Sequence, residues 1–175
     1  MQAPTSYAGP RRDDGKKKTT YSQTPKSNAS KEAGTVAQLL AKKGNAVFSV
    51  QPDDLMSKAV DILREKRIGA LIVTSPSGEL EGILSERDIV RKLSETPGRV
   101  LAQKVDALMT KKVKTVAPDA PLMSVLQQMT EGRFRHMPVV ENGKLLGMIT
   151  IGDVVNYRLR ELEYETVQLK QIIVG

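Results

Sequence analysis

The residues best suited to chemistry form one short motif that occurs twice, as GILSERD and as GMITIGD. In each copy a glycine-led apolar strand ends in a hydroxyl residue, Ser85 or Thr150, and an aspartate, Asp88 or Asp153, follows three positions later. The hydroxyl can cap the next helix. The positive end of that helix attracts a phosphate, and the aspartate can accept both hydroxyls of a ribose. The duplicated motif therefore favours a sugar-phosphate ligand, with helix capping alone as the alternative.

Catalytic groups are scarce by comparison. His136 is the only histidine and the chain has no cysteine, which excludes a two-histidine metal site and every thiolate reaction. Ser85, His136 and Asp153 form a catalytic triad only on paper, because no nucleophile-elbow motif surrounds the serine. A Rossmann glycine loop is also missing. The sequence therefore predicts no enzymatic activity, no metal site and no catalytic cofactor.

An internal repeat carries the two motifs, since residues 47–90 align with residues 113–155 after a one-residue difference in a turn. Each unit reads as β-α-β-β-α. Short first strands are predicted over residues 47–50 and 113–116, and a helix with apolar residues at helical spacing follows each of them. Asn142-Gly143 predicts a type I′ hairpin turn, because that turn needs two positive φ angles. The predicted class is α/β (α+β) with an extended C-terminal helix.

Four segments are predicted: a disordered basic leader over residues 1–34, one repeat over 35–100, a second over 101–158, and a helical extension over 159–175. The leader has too few aliphatic residues to offset its ordering entropy. Thr35 is a candidate cap for a short amphipathic helix. The last helix carries an apolar seam that we expect to mediate a homodimer, with packing on its own module as the alternative. The seam consists of Val155, Leu159, Leu162, Thr166, Leu169 and Ile173.

Composition narrows the class further. The 175 residues are 39% hydrophobic but only 3% aromatic, so the core must be aliphatic. No apolar run approaches the roughly 18–20 residues of a membrane span, and no secretory signal or cysteine is present, which predicts a cytoplasmic protein without a membrane partner. Residues 1–34 hold +4 of the net charge of +7. Nucleic-acid binding through this leader is therefore an unfavoured alternative.

The span of about residues 35–159 resembles a tandem pair of CBS (cystathionine β-synthase) domains, a Bateman module, of the small stand-alone kind. The two motifs carry this resemblance, together with RIGAL at 67–71 and RFRHMPVV at 133–140. It implies two repeats related by pseudo-twofold symmetry, with two clefts that each draw on both repeats and bind an adenosine nucleotide. AMP is the first expectation, and ADP, ATP, NAD(H) and S-adenosylmethionine are alternatives. The implied function is a ligand sensor that relays occupancy to a dimer or to an unidentified protein partner.

The resemblance also implies residue roles. Asp88 and Asp153 would hold ribose hydroxyls, with Ser85 and Thr150 at the ribose-phosphate linkage. The adenine pocket would draw on Phe48, Ile68, Gly69, Ala70, Lys114, Phe134, Met137 and Pro138.

The repeats differ in their cationic residues, which predicts unequal clefts. Arg87, Arg135 and His136 align with Gly152, Gly69 and Ala70. We expect these three cationic or titratable residues to contact phosphate, with solvated arginines and a structural histidine as the alternative. A purely structural dimer with vestigial sites also stays open.

Overall fold

The computed structural model describes residues 34–174, so the prediction for the basic leader falls, except at Gly34, outside the described residues. Two 3-10 turns lie between the repeats, at Val100–Ala102 and Val105–Ala107. The helices and strands are α1 Val36–Lys43, β1 Ser49–Val50, α2 Met56–Lys66, β2 Ala70–Thr74, β3 Leu80–Ser85, α3 Glu86–Glu95, α4 Leu122–Gly132, β4 His136–Glu141, β5 Lys144–Thr150 and α5 Ile151–Val174. The mixed α/β class, the repeated α-β-β-α order and the extended last helix are confirmed.

Each repeat builds a small mixed sheet. In the first, β1 pairs with β2 in parallel and β2 pairs with β3 antiparallel. In the second, β4 and β5 form the antiparallel pair, and the predicted first strand over 113–116 is reduced to a single parallel bridge between Val116 and Val139. The hairpin after β4 turns through Asn142 and Gly143, whose φ angles of 50° and 78° confirm the predicted turn.

The helix ends also repeat. Both α2 and α4 stop at an arginine in the left-handed region, Arg67 with φ 53° and Arg133 with φ 54°. Residues other than glycine adopt this conformation rarely, and it reverses the chain tightly at the end of the helix. The next residue then donates its amide back into the last turn, as Phe134 does to the carbonyl of Met129 at 3.1 Å. The chain therefore leaves the helix in the same direction in both repeats, and the next strand begins in the same way.

Each repeat completes its core with a segment that lies outside its own β-α-β-β-α unit. Val36 and Leu40 of α1 come before β1, the first strand of the first repeat, but they are buried in the core of the second repeat. Val100 and Val105, which lead into the second repeat, are fully buried in the core of the first. The reciprocal exchange ties the two repeats into one folded unit, because neither core is complete without a neighbouring segment.

The long last helix is too polar for a bilayer. Within the part of the chain that the structure describes, no helix combines the length and the apolar character needed to cross a membrane.

The exchanged helix gives a stability prediction. We expect Leu40→Ala to lower the free energy of unfolding by about 2–4 kcal/mol, because it removes buried methyl groups and leaves a cavity against Gly147. Urea denaturation of the purified chain measures this loss, and hydrogen exchange should accelerate more in β4 and β5 than in β2 and β3. Leu93→Ala, at a side chain 41% exposed on α3, is the matched control, with an expected loss below about 1 kcal/mol. Equal losses in the two variants would contradict the packing described for α1.

Candidate functional site

A cleft of about 450 Å³ lies between the repeats, a volume within the usual range for a small-molecule site. The first repeat contributes the carboxyl end of β3, the start of α3 and the glycine before β2. The second contributes the segment before Val116 and the turn from α4 into β4. The lining residues are Gly69, Ile83, Ser85, Glu86, Arg87 and Asp88 from the first side, and Thr110, Lys112, Val113, Lys114, Gly132, Arg133, Phe134, Arg135 and His136 from the other.

Ser85 and Asp88 are held by a reciprocal capping box at the start of α3. The Asp88 amide donates to Ser85 Oγ at 3.4 Å, and the Ser85 amide donates to Asp88 Oδ2 at 3.2 Å. The serine hydroxyl also lies 2.5 Å from Asp88 Oδ2. The cap therefore uses Oδ2, whereas Oδ1 contacts only the exposed Arg91 at 3.4 Å among the described side chains. The aspartate, which lines the cleft, is thus oriented by the fold and has one oxygen that the cap does not use.

The amides of this helix start are largely used by the protein itself. The Glu86 amide donates to the carbonyl of Gly69 at 3.0 Å, and the Asp88 amide donates to the serine. The same bonds recur at α5, where the Ile151 amide donates to the carbonyl of Arg135 at 2.9 Å. The helix N-terminus therefore offers fewer amides to an anion than its position alone suggests, and cationic side chains must supply most of the attraction.

The ring of Phe134 forms an aromatic wall of the cleft on the side of the second repeat, across from the first motif. Phe134 packs so closely on Gly132 that a Cβ there would lie 2.2 Å from the ring. Lys114 holds its ammonium 5.9 Å from the ring centroid, a cation–π contact. Phe134 is half-buried against the second core, so its ring position is fixed by packing and provides a flat apolar surface within the cleft.

Two contacts cross the cleft between the repeats. Arg87 donates from Nη1 to the carbonyl of Arg133 at 2.7 Å, the residue whose left-handed backbone ends α4. His136 lies against Gly69, where a Cβ would be 3.3 Å from the imidazole Cε1. A larger residue at position 69 would push the imidazole away, which explains the glycine there. Both contacts connect the first repeat with the second.

The cleft is strongly cationic. Its lining contains two acidic residues, Glu86 and Asp88, against five lysines and arginines: Arg87, Lys112, Lys114, Arg133 and Arg135. Like charges gathered at a concave surface raise the local concentration of anions. The arrangement therefore selects for a negatively charged ligand.

His136 lies in the lining of this cationic cleft, and its imidazole is sensitive to the neighbouring charges. Burial lowers the pKa of its imidazole below the ordinary value of 6.5, the charge of Lys43 lowers it further, and Asp153 partly opposes the shift. Arg135 and Arg87 lower it as well. The neutral imidazole therefore dominates at neutral pH in this environment. A phosphate beside it would favour the charged form.

The second motif has a different environment. Thr150 and Asp153 form the same capping pair, with the Thr150 amide 2.8 Å from Asp153 Oδ2 and the Asp153 amide 3.1 Å from the threonine hydroxyl. Lys43 of α1 donates to the same Oδ2 at 2.5 Å. Burial opposes ionisation of Asp153, but the bonds from Lys43 and Thr150 outweigh it and lower the pKa of the carboxyl.

The structure brings eight of the residues selected from the sequence to one cleft: Gly69, Ser85, Arg87, Asp88, Lys114, Phe134, Arg135 and His136. Thr150 and Asp153 lie apart from this lining, and Asp153 borders a recess between α1 and α5.

The other residues selected for the adenine pocket lie elsewhere. Ala70, Met137 and Pro138 are buried in the strands β2 and β4. Ile68 packs on the first core. Phe48 is 39% exposed beneath the ammonium of Lys66.

Several lining residues were not selected from the sequence, Lys112 and Arg133 above all. The repeat alignment contained a signal for Lys112, since the second repeat reads KKVK at 111–114 where the first reads NAVF at 45–48. Arg133 carried no such signal, because the first repeat also has an arginine there, Arg67. Only the tertiary arrangement distinguishes the two arginines.

Comparisons with known proteins agree with this architecture. A family model described as "CBS domain" matches residues 38–95 and 105–160. A relative from Arabidopsis thaliana, "CBS domain-containing protein CBSX3, mitochondrial", is 32% identical over 152 residues, which cover 82% of this chain and 74% of the relative. Because that relative is mitochondrial by name, a cytoplasmic location for this chain stays a prediction.

Solved structures give the same result. The crystal structure of a CBS-domain containing protein from Agrobacterium tumefaciens is 41% identical with a TM-score of 0.70, covering 71% of this chain and 99% of that one. The CBS domain pair of protein MJ0100, crystallised with 5′-methylthioadenosine and S-adenosyl-L-methionine, has a TM-score of 0.65 over 74% of this chain and 98% of that one. Its 22% identity supports a shared fold only.

The lowered pKa of His136 gives a prediction with a defined sign. Between pH 6.5 and the lower pKa of the folded state, the unfolded chain binds a proton that the folded chain does not. Acidification should therefore destabilise the wild type relative to His136→Gln, by at most about 1.4 kcal/mol per pH unit. Urea denaturation between pH 7.5 and 5.5 measures the difference in slope. As His136 is the only histidine, its imidazole proton signal also reports the pKa by NMR titration, and a value above 6.5 would contradict the prediction.

Proposed function

The chain belongs to the CBS domain family as a tandem pair of repeats, and we propose that it is a non-enzymatic regulatory module that binds a phosphorylated adenosine ligand in the cleft between them. Family membership favours a regulatory role over a catalytic one. The single observation that carries the proposal is the position of Asp88, oriented by its cap and facing an aromatic wall and a group of cations across one cleft.

The parts of the cleft correspond to the parts of a nucleotide. Asp88 has Oδ1 outside the cap and would accept the ribose hydroxyls, with Ser85 at the ribose-phosphate linkage. The ring of Phe134 supplies an apolar face for adenine. Backbone groups near Lys114 would read the edge of the base. Arg87, Arg135 and His136 then lie where a phosphate chain would extend.

Charge distinguishes among the candidate ligands. MJ0100 binds adenosine derivatives without phosphate, one of them the sulfonium cation S-adenosyl-L-methionine. In this chain the corresponding kind of ligand would meet five lysines and arginines against two acids. A cation gains nothing from that field, whereas each phosphate gains charge-assisted hydrogen bonds. We therefore expect AMP, ADP, ATP or NAD(H) to bind in preference to S-adenosylmethionine.

Ligand binding would reach the rest of the molecule through the contacts that cross the cleft. A phosphate that recruits Arg87 competes with the carbonyl of Arg133 for the same guanidinium. The bond between the repeats would then weaken or be replaced by bonds through the ligand. A ligand shifts such an equilibrium only by its differential affinity for the two arrangements, and a contact that it must exchange provides that difference.

The relay is proposed to end at a dimer contact on α5. The seam residues Val155, Leu159, Leu162 and Leu169 are between 40% and 60% exposed on this helix, so the described part of the chain leaves the seam uncovered. An exposed apolar seam at coiled-coil spacing is stabilised by a second helix with the same pattern. A second copy of the chain supplies one.

The ligand proposal is tested with Asp88→Asn, which keeps an acceptor oxygen for the helix cap but removes the carboxylate charge. We expect the wild type to bind AMP, ADP, ATP or NADH in calorimetric titration and the variant to lose at least about tenfold in affinity, as 1.4 kcal/mol or more of charged hydrogen bonding is lost. S-Adenosylmethionine should bind more weakly than each phosphorylated compound. Ligand at 100 times its dissociation constant should stabilise the wild type by about 2.7 kcal/mol.

Asp61→Asn is the matched control, because Asp61 is an exposed aspartate of α2 that pairs only with the exposed Arg64 among the described side chains. Its affinity should equal that of the wild type. The absence of binding and of thermal stabilisation with all five compounds would contradict the proposed ligand class and favour a structural module. Turnover of ATP or NADH by the purified protein would contradict the non-enzymatic role.

The dimer prediction uses a charge on the seam. We expect Leu159→Glu combined with Leu162→Glu to convert a dimer into a monomer, because two carboxylates per helix would be buried without partners. Light scattering after size-exclusion chromatography measures the mass. Leu101→Glu, at a side chain 50% exposed on a 3-10 turn, is the control and should leave the dimer intact. A monomeric wild type, or a double variant that remains dimeric, would remove α5 as the dimer contact.

A further inference from the structure

One ion pair distinguishes the second motif from the first. The Lys43 ammonium lies 2.5 Å from Asp153 Oδ2, and both side chains are only 26% exposed. The two residues are 110 positions apart in the chain, so the pair exists only because α1 packs on the second repeat. The same carboxylate oxygen already accepts a hydrogen bond from the Thr150 amide, so the Lys43 ammonium is a second donor to that oxygen.

Among the residues that the structure describes, the first motif has no such partner. Asp88 contacts Arg91 of its own helix, whose side chain is 71% exposed, at 3.4 Å. The repeat alignment places Met109 opposite Lys43, since each lies four residues before the valine that begins the aligned stretch. Met109 packs its sulfur towards Gly82 instead. The exchanged segments thus bring a cation to the second motif and an uncharged thioether to the first.

Lys43 is presented by a helix that is held in several ways. A capping box between Thr35 and Gln38 fixes the start of α1, and Leu40 is buried in the second core. Lys42 lies 4.5 Å from the ring centroid of Tyr157 on α5, and the tyrosine hydroxyl donates to Gln38 at 3.4 Å. The backbone at Lys43 is therefore held in place by packing, and its side chain reaches Asp153 from a fixed starting point.

We propose that Lys43 acts as a built-in competitor for the ribose hydroxyls at the second motif, so that the module presents one nucleotide site at the first motif and one self-occupied site at the second. The inference rests on the proposed nucleotide binding. Lys43 bonds Oδ2, the oxygen that also accepts the cap amide, so it competes through the charge of the carboxylate and the space beside it. A ribose hydroxyl is a neutral donor, and at a carboxylate already paired with an ammonium it gains less than it would at Asp88.

The neighbouring residues add to this difference between the motifs. Gly152 stands in the second motif where Arg87 stands in the first, and Gly69 and Ala70 align with Arg135 and His136. The second motif therefore has fewer cations to attract phosphate once Lys43 is engaged. Lys43 is a specificity-determining residue for the number of sites, and it touches the first cleft only through the effect of its charge on His136.

The test is calorimetric titration of AMP into the full chain and into Lys43→Met. This variant places at position 43 the residue type of Met109, which occupies the aligned position next to the first motif. We expect one AMP per chain for the wild type and two for Lys43→Met, with the added site lost again in Lys43→Met combined with Asp153→Asn. Lys42→Met removes a lysine from the same helix without touching Asp153 and should keep a single site. Carboxyl NMR provides a ligand-free readout, in which Lys43→Met should raise the pKa of Asp153 and Lys42→Met should not.

The outcomes separate the two proposals. One AMP per chain in both the wild type and Lys43→Met overturns the inference about Lys43 and leaves the nucleotide site intact. Two sites in the wild type, with one lost in Asp153→Asn, also overturn it. An unchanged pKa of Asp153 in Lys43→Met overturns the ion pair itself. Binding of no nucleotide by any variant overturns the proposed function, and the competitor role with it.

Discussion

The strand-to-helix junction is the local structure on which the rest of this molecule depends. At Ser85 the chain passes from β3 into α3 without a loop, and the exposed amides of the new helix must find acceptors. The capping box and the Gly69 carbonyl supply them. This satisfies the helix and fixes the aspartate three residues later in one orientation. A side chain that stabilises the fold in this way also lines the cleft, so capping and the proposed binding would be two consequences of one geometry.

The second repeat keeps this backbone and changes what surrounds it. Left-handed arginines end α2 and α4, and strand irregularities recur at Val73 and Val139. These features are conformational, and each repeat needs them to close its sheet. The cations near the motif are not needed for that purpose, so the two repeats can differ in them and keep the same backbone. Arg135 and His136 enter the first cleft, whereas Lys43 reaches Asp153.

Local features of the fold could be predicted from the sequence because they depend on neighbours along the chain. The repeat, the Thr35 cap and the Asn142-Gly143 turn are all of this kind, and the structure has each of them. The first strand of the second repeat was predicted too long, since an apolar stretch does not specify how many of its residues pair with another strand. Within residues 113–116 the structure pairs Val116 alone, with Val139.

Features that depend on contacts across the chain could not be predicted in the same way. Periodicity identified α1 as amphipathic but could not specify which repeat would receive its apolar face. Lys43 therefore read as an ordinary helix lysine. The side of the cleft that the second repeat forms could not be predicted either. The spacing of the first motif identifies Asp88 but contains no information about Arg133, which lies across the cleft in the other repeat. The residues of one motif could be named, but their partners could not.

The electrostatics of the cleft connect these observations. Five lysines and arginines around one cavity repel one another, and the fold bears this cost through contacts such as that of Arg87 with the Arg133 carbonyl. Burial is the largest cause of the lowered pKa of His136, and Lys43, Arg135 and Arg87 add to it because each disfavours a further positive charge there. An anion in the cleft relieves this repulsion and also forms its own bonds. A folded state that carries such repulsion gains more from a phosphate than a neutral cleft of the same shape would, and in the proposed function this gain would drive the change in the contacts between the repeats.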